Sequence, residues 1–492
     1  MLNKSIWENN HKTNNIKFQT EIPTKTDILI IGGGITGITT AYLLKNSNLS
    51  VTVIDKSKIG MGITSNSTAK VSYLQETIYQ DLEKAFSRRV AKLYFDSQLE
   101  AIKIINNIIK KEMINCDFEK VDSILFTTNK NNIRKLEKEK EILESFDVKC
   151  RDIDKFPIDF PIYKGFIVDD TYQMNPIKYT RNLAKMIKND ISIIENIKAL
   201  NIKLDNGKYI IKTDKGNIIS KYVIVACHYP FFTLPGLIPI KNHIEREYVN
   251  ASKYHTPKHF TAINVDSNLH SIRFYKDYLI YGSTNQLLTN KIDYEKEYQK
   301  SKREFKKYFN IEPEYTWTNQ DLITGDYLPF IGNPDKNQPN LFIATGYNAW
   351  GMTNSIVASK LISDLIQNNN NLYIDLFSPL RKNLSLFGNA ILNSIYYTKV
   401  YLQTYLTRNH SFYPNSVKVT KINGEYYGIY IDKDSIKHIV KNKCPHLKCN
   451  LVFNNEEKTW DCPCHGSRFT IDGNVLEGPT TYSIRINNNE TL

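Results

Sequence analysis

A glycine cluster placed directly after the first apolar strand restricts the fold of this chain more than any other feature. Asp27-Ile28-Leu29-Ile30-Ile31 reads as a buried strand, Gly32-Gly33-Gly34-Ile35-Thr36-Gly37 opens a helix, and Val51-Thr52-Val53-Ile54 is the next strand. In a G-x-G-x-x-G turn, Gly32 permits the sharp bend, Gly34 lets a pyrophosphate approach the backbone, and Gly37 lets the helix pack on the strand. Ile35 and Thr36 then begin the helix whose unpaired N–H groups favour phosphate charge. Asp55, with Lys56 beside it, ends the second strand and is placed to accept hydrogen bonds from an adenosine ribose. A glycine turn alone can be purely structural, but the whole register predicts a dinucleotide site.

Two further loops point to FAD rather than NAD. Gly60 to Lys70 is small and polar and can wrap an extended pyrophosphate and ribityl chain, with Gly62, Thr64, Ser67 and Thr68 as its candidates. Much later, Thr345, Gly346, Gly351, Met352 and Thr353 form a glycine loop at another helix start, which can stabilise charge on the pyrimidine edge of a reduced flavin.

The second constellation is sulfur and imidazole. Three of the seven cysteines, Cys116, Cys150 and Cys227, are isolated, whereas Cys444-Pro445-His446 and Cys462-Pro463-Cys464-His465 give C-x-H and C-x-x-H separated by fifteen residues. Cys444 and Cys462 can hold one iron of a [2Fe–2S] cluster and His446 and His465 the other, the Rieske arrangement. A structural zinc site would use the same ligand types. Cys449 and the non-ligand Cys464, the Gly466-Ser467 continuation and a later Gly478-Pro479 loop weigh against zinc.

At 492 residues the chain is long enough for several cores, and 41% hydrophobic with 23% charged residues is a globular composition. The net charge of +13 is scattered among Asn and Ile, so it predicts a solvated lysine-rich surface and no nucleic-acid partner. No run of about 18 apolar residues is present and the first twenty residues are polar, so the expectations are no transmembrane segment and a cytoplasmic location.

The pattern predicts an FAD-dependent oxidoreductase region over 1–371. Its discontinuous nucleotide domain takes about 24–72, 151–235 and 310–371, with substrate and helical insertions at about 73–150 and 236–309. A helical linker spans 372–411, packing on the flavin domain or lying as an amphipathic helix on a membrane surface. A small all-β domain fills 412–492. The fold class is therefore α/β, a Rossmann-type FAD-binding domain with an inserted mixed α+β substrate domain, then the all-β unit.

Over nearly its whole length the chain resembles the glycine/D-amino-acid oxidase-like FAD-dependent oxidoreductases, in the branch that carries a C-terminal Rieske domain. The resemblance rests on Ser65 to Ser72, Val225 to Pro230, Asp326 to Gly332 and Trp350 to Asn354. It implies a disulfide between Cys449 and Cys464 joining the two ligand loops, a potential-raising hydroxyl at Ser467, and Phe469 where a second such donor would stand. Cys227, Asn66, Ala349 and the Ser283 to Gln286 loop depart from the pattern, which leaves the substrate unassigned.

The implied activity is oxidation of a small organic substrate, at a C–N bond of an amine or amino acid, with electrons passing from FAD to the cluster and on to a protein or quinone. The alternative is a non-catalytic electron carrier or redox sensor between protein partners. Tyr248, Arg273, Tyr275 and Tyr281 fall in the substrate region, where an arginine can clamp a carboxylate. His446 and His465 are expected at the exposed tip of the cluster.

Overall fold

Strand Lys25–Ile31 lies inside a parallel sheet, flanked by Val51–Ile54 on one side and Gly216–Val225 on the other, with Ser192–Ile194 and Leu341–Thr345 continuing outward. Its residues Ile28, Leu29 and Ile30 are fully buried because both faces of the sheet are covered, as parallel sheets require. Helix Ile35–Leu44 packs on one face between helices Pro176–Ile187 and Gly351–Gln367. In this computed structural model residues 4–9, 16–231, 241–288, 293–406 and 416–486 are described.

The second sheet has nine strands and is assembled from distant pieces of chain. Tyr315–Thr324 pairs with Asn242–Lys253, and the order continues through Tyr278–Leu287, His270–Tyr275, Phe260–Asn264, Glu119–Thr127, Lys164–Gln173 and Lys70–Val71. Four strands assigned by their sequence to the nucleotide domain therefore belong here: Lys70–Val71, Arg151–Ile153, Lys164–Gln173 and Tyr315–Thr324. The physical reason is that local alternation identifies a strand but not its partner. All four pair antiparallel with strands that are not determined by their own pattern.

Two small antiparallel sheets form the C-terminal unit. The first holds Val417–Ile422, Glu425–Ile431 and Lys437–Lys441, and the second Val452–Asn454, Thr459–Asp461, Arg468–Thr470 and Val475–Glu477. Trp460 fills the space between them and presses on Gly428, where a Cβ would stand 2.4 Å from the indole. The expected continuous linker helix is instead two helices, Ile374–Phe377 and Leu384–Leu406. Pro379 ends the first, since the residue before a proline is driven out of the helical region, and Ser378 has ψ 128. The longer helix ties two cores together, with Leu386 in the parallel-sheet core and Val400 in the C-terminal core. Residues 407–415, where the expected linker ends and the expected C-terminal domain begins, lie outside the described residues.

Candidate functional site

The glycine turn has the tightness that its pattern predicts. Gly32 has φ +117 and a Cβ on it would lie 2.6 Å from the Ala226 carbonyl oxygen, while one on Gly37 would lie 1.9 Å from that of Gly32. At Gly34 a Cβ would meet the Thr64 hydroxyl at 2.9 Å, so its absence leaves the backbone open on the cavity side. The Gly33 N–H donates to Asp55 Oδ2 at 2.7 Å and the Ser57 N–H to Oδ1 at 2.7 Å, which fixes the carboxylate at the strand end. Ile35 N–H donates to Thr64 Oγ1 at 3.3 Å, joining the two loops.

A cavity of about 200 Å³ opens there, and Gly32, Gly34, Asp55, Lys56, Gly62 and Thr64 all line it. Ser67, Thr68 and Met352 line a second, smaller cavity of about 30 Å³. Thr36, Gly37, Thr345 and Thr353 line neither. The Thr36 hydroxyl pairs with Tyr347 at 2.9 Å, Thr345 donates to the His228 carbonyl at 2.6 Å, and Thr353 accepts from Gln75 at 3.2 Å. Gly346, at φ +71, turns the chain between strand Leu341–Thr345 and Gly351, the first residue of helix Gly351–Gln367. A bent, glycine-lined cleft ending on a fixed carboxylate suits a dinucleotide, and FAD fits these donors.

The sulfur and imidazole ligands converge as well. The Cys462 thiol donates to Cys444 sulfur, which holds Cys444 below the usual thiol range, and Ser467 and backbone N–H groups act in the same direction. His446 and His465 stand 4.9 Å apart ring to ring, and the Nδ1 atom of each is buried without a partner. Burial, reinforced by His446, pushes His465 down to about 3, leaving the neutral imidazole that can ligate a metal. Two paired thiols facing two orphaned imidazole nitrogens fit a [2Fe–2S] cluster. Cys449 and Cys464 are joined in a disulfide. The sulfurs of Cys449, Cys462 and Cys464 also lie within 4.8 Å of one another, but the disulfide removes two of them as ligands.

His446 is half-buried, but His465 is not at an exposed tip. His465 is 5% exposed and lies 4.7 Å from the ring of Tyr397, whose hydroxyl donates to the Asn242 carbonyl at 2.8 Å. The linker helix covers this end of the domain, which a domain-by-domain reading does not anticipate.

Arg273 differs from expectation too. Its guanidinium donates to the Thr68, Ala69 and Met174 carbonyls and lies over Trp7, so it braces the polar loop. Tyr248, Tyr275 and Tyr281 are core side chains; Tyr275 donates to Asp117 at 2.7 Å and Tyr281 pairs with His270 at 2.6 Å.

Residues without a sequence signal complete both cavities. Leu476 and Glu477 of the C-terminal unit wall the larger one beside Gly466, and Glu76 and Glu247 the smaller one beside Lys70. Only the folded chain brings them there, although acids at alternate positions of a strand, Glu245 and Glu247, are a pattern that could have been followed. Lys56 Nζ donates to the Leu476 carbonyl at 2.5 Å, so the strand end that carries Asp55 touches the C-terminal unit.

The sequence model of the FAD dependent oxidoreductase family matches residues 27–365, and that of the Rieske [2Fe-2S] domain matches 403–487. The Rieske 2Fe-2S iron-sulfur protein YhfW of Bacillus subtilis strain 168 is 31% identical over 94% of this chain and 93% of its own length. Gamma-glutamylputrescine oxidoreductase of Escherichia coli K12 is 23% identical over 69% of this chain and 83% of its own. Glycine oxidase from Geobacillus kaustophilus superposes with a TM-score of 0.60 at 14% identity, covering 73% of this chain and all of that one, which is a likeness of fold. No helix among the described residues is long and apolar enough to cross a membrane. The chain belongs to the FAD-dependent oxidoreductase family and is an FAD enzyme with a C-terminal Rieske [2Fe–2S] domain.

Proposed function

We propose that this protein oxidises a C–N bond of a small amine or amino acid in the cavity beside Ser67, Thr68 and Met352, and passes the electrons to its own Rieske centre. The observation that carries this reading is the shared wall: the glycine turn, Asp55 and the Leu476-Glu477-Gly478 loop of the Rieske domain line one cavity. Bound FAD would supply a two-electron acceptor and the cluster a one-electron outlet to a protein or quinone.

The chain's own residues do the rest. Gly32 to Gly37, Asp55, Lys56, Gly62 and Thr64 would hold the dinucleotide, Ser67, Thr68 and the Thr345 to Thr353 loop its flavin end, and Cys444, His446, Cys462 and His465 the cluster. An ammonium substrate must lose a proton before its C–H bond can break. Glu76, raised to about 7 by burial, and Lys70, lowered to about 8 by burial, are cavity groups that can exchange protons near neutral pH. The named activity of the Escherichia coli relative, on an amine, agrees with a C–N bond as the target. In this reading residues 1–371 oxidise, 412–492 carry electrons, 372–411 join the two, and the protein works in the cytoplasm.

The test is an anaerobic screen of amines and amino acids, following flavin absorbance and the electron paramagnetic resonance signal of the cluster together. Bleaching by a C–N compound with growth of the cluster signal is expected. Flavin reduced only by a protein partner would replace this reading with that of an electron carrier.

A further inference from the structure

Helix Leu384–Leu406 is apolar on two opposite faces, and the fold covers one of them. At about 100° per residue, Leu386, Ala390, Tyr397 and Val400 share the inner face. Leu386 packs in the parallel-sheet core, Val400 in the C-terminal core, and Tyr397 against His465. Leu384, Phe387, Ile391, Ile395 and Leu402 recur at helical spacing on the opposite face, and they are between 48% and 91% exposed. A helix that is apolar all round is a buried one, so the outer stripe of a helix already seated on its inner side calls for a cover.

The helix has little to offer water. Ser394 and Thr398 donate to its own carbonyls, those of Ala390 and Ser394, at 2.7 Å each, and Asn389 donates to the Gly325 carbonyl. Tyr396 and Tyr397 donate to the Leu288 and Asn242 carbonyls, so the inner side and one flank are held by protein. A groove on a partner protein would have to enclose both flanks, whereas a flat surface needs only the outer stripe.

Charge selects the kind of surface. Residues 376–424 contain no Asp or Glu, where an even spread of the chain's 51 acidic residues would put about five. Arg381 is taken by Asp326, but Lys382 before the helix and Lys399 within it are exposed and in no ion pair among the described residues. Strand Val417–Ile422, whose Val417 shares a core with Val400, adds the exposed Lys418 and Lys421. A second copy of the chain would set the same cations against one another. An anionic lipid surface takes both features at once, the apolar side chains at the acyl boundary and the lysines among the headgroups.

We propose that the outer face of helix Leu384–Leu406 docks the protein on an anionic lipid bilayer, lying along its surface without spanning it. Because Tyr397 on the inner face touches His465, the imidazole end of the cluster site then stands one helix diameter, roughly 10 Å, from the lipid. The proposal is independent of the substrate that the flavin oxidises.

The test is flotation of the FAD-loaded, cluster-loaded protein with vesicles of phosphatidylcholine alone and of phosphatidylcholine and phosphatidylglycerol in equal parts. Binding to the anionic vesicles that weakens with salt is expected, with little binding to the neutral ones. The double variant Phe387→Ser, Ile395→Ser should lose affinity for the anionic vesicles about tenfold or more, while keeping FAD and the visible absorption of the cluster. Lys382→Gln with Lys399→Gln leaves the apolar stripe whole and should bind the anionic vesicles more weakly and with less dependence on salt. It serves as the second variant if the first does not fold.

No binding to anionic vesicles, or equal binding by all three proteins, overturns the proposal. A wild-type dimer that ignores vesicles and becomes a monomer in the double serine variant would give the stripe to a second copy. A co-purifying acidic protein lost from that variant, again with no vesicle binding, would give it to a protein partner. Either outcome overturns the bilayer as its cover.

Discussion

Arg246 donates a 2.9 Å hydrogen bond to Asp461 across the seam between the nine-stranded sheet and the Rieske domain, and neither side chain is more than 2% exposed. The same arginine donates to Gln320 at 2.8 Å, and Gln320 in turn donates to the Gly466 carbonyl and to Glu477 at 2.6 Å. Arg468 ion-pairs with Glu457, Asp461 and Glu477 behind them. Polar groups buried this deeply fix a docking geometry, because each loses its partner if the domain shifts. Asp461→Ala strands Arg246 as a buried charge, and removing one member of a buried pair costs roughly 3–5 kcal/mol. The Rieske domain should then melt separately and at lower temperature than the rest. A single melting transition at the wild-type temperature would mean that this pair does not hold the seam.

The glycine turn and the converging cysteine and histidine loops were legible in the sequence because each is local. The glycine turn is six residues long with its carboxylate on the adjoining strand, and the cluster ligands are two short loops whose spacing is the signal. What lies between them was not legible. Arg246 and Asp461 are 215 positions apart, and Glu76 and Glu247, on separate segments of the chain, meet only in the folded cavity that both line. Arg273 shows the converse: an arginine in a strand looks available for a substrate until the carbonyls of Thr68, Ala69 and Met174 are seen to use it.

Gly34→Val tests the nucleotide site. The added side chain would grow from a Cβ already 2.9 Å from the Thr64 hydroxyl, into the cleft that Gly34 keeps open. Purified variant should lose FAD while keeping the visible absorption of the cluster, because the C-terminal core around Trp460 and Val440 is separate. Stoichiometric FAD in the variant would refute the phosphate site.

The disulfide closes a span of 15 residues between the ligand loops. Loop closure of that length is worth about 3 kcal/mol in the unfolded chain, and here it also braces the ligands. Replacing both Cys449 and Cys464 by serine should speed loss of the cluster to an iron chelator at least several-fold, followed by the decay of its visible absorption. An unchanged decay would leave the bridge without a role in cluster retention.

Glu76 gives stability a pH signature. Burial, with Glu245 and Glu247 adding repulsion, raises its carboxyl from 4.5 to about 7. A raised folded-state value means that the folded protein keeps a proton that the unfolded chain has released. The contribution is therefore complete below pH 4.5 and is lost as pH climbs to about 7. Its upper bound is about 3 kcal/mol. Glu76→Gln has no proton to lose, so melting temperatures across this range should fall less in the variant than in the wild type. Parallel curves would mean that Glu76 is not held protonated.

The docked Rieske domain makes the final prediction, that electrons pass within one chain without the cluster travelling. Burial raises the Tyr229 phenol, with Cys462 adding to the effect, and a Cβ on Gly478 would stand 3.8 Å from the Tyr229 carbonyl oxygen. The preceding residue, His228, accepts through its carbonyl the Thr345 hydroxyl of the loop assigned to the flavin. A short path therefore runs between the two sites, hydrogen-bonded from Thr345 to His228, covalent to Tyr229 and through space from there to Cys462. After anaerobic photoreduction, the cluster signal should grow at a rate independent of protein concentration, since no second molecule is needed. It should also be independent of added viscogen, since no domain has to swing. Asp461→Ala, by freeing the domain, should make the rate slower and viscosity-dependent. A wild-type rate that falls with viscosity would mean that the domain leaves this seat in every turnover. A rate that rises with protein concentration would mean that the two centres exchange electrons between molecules.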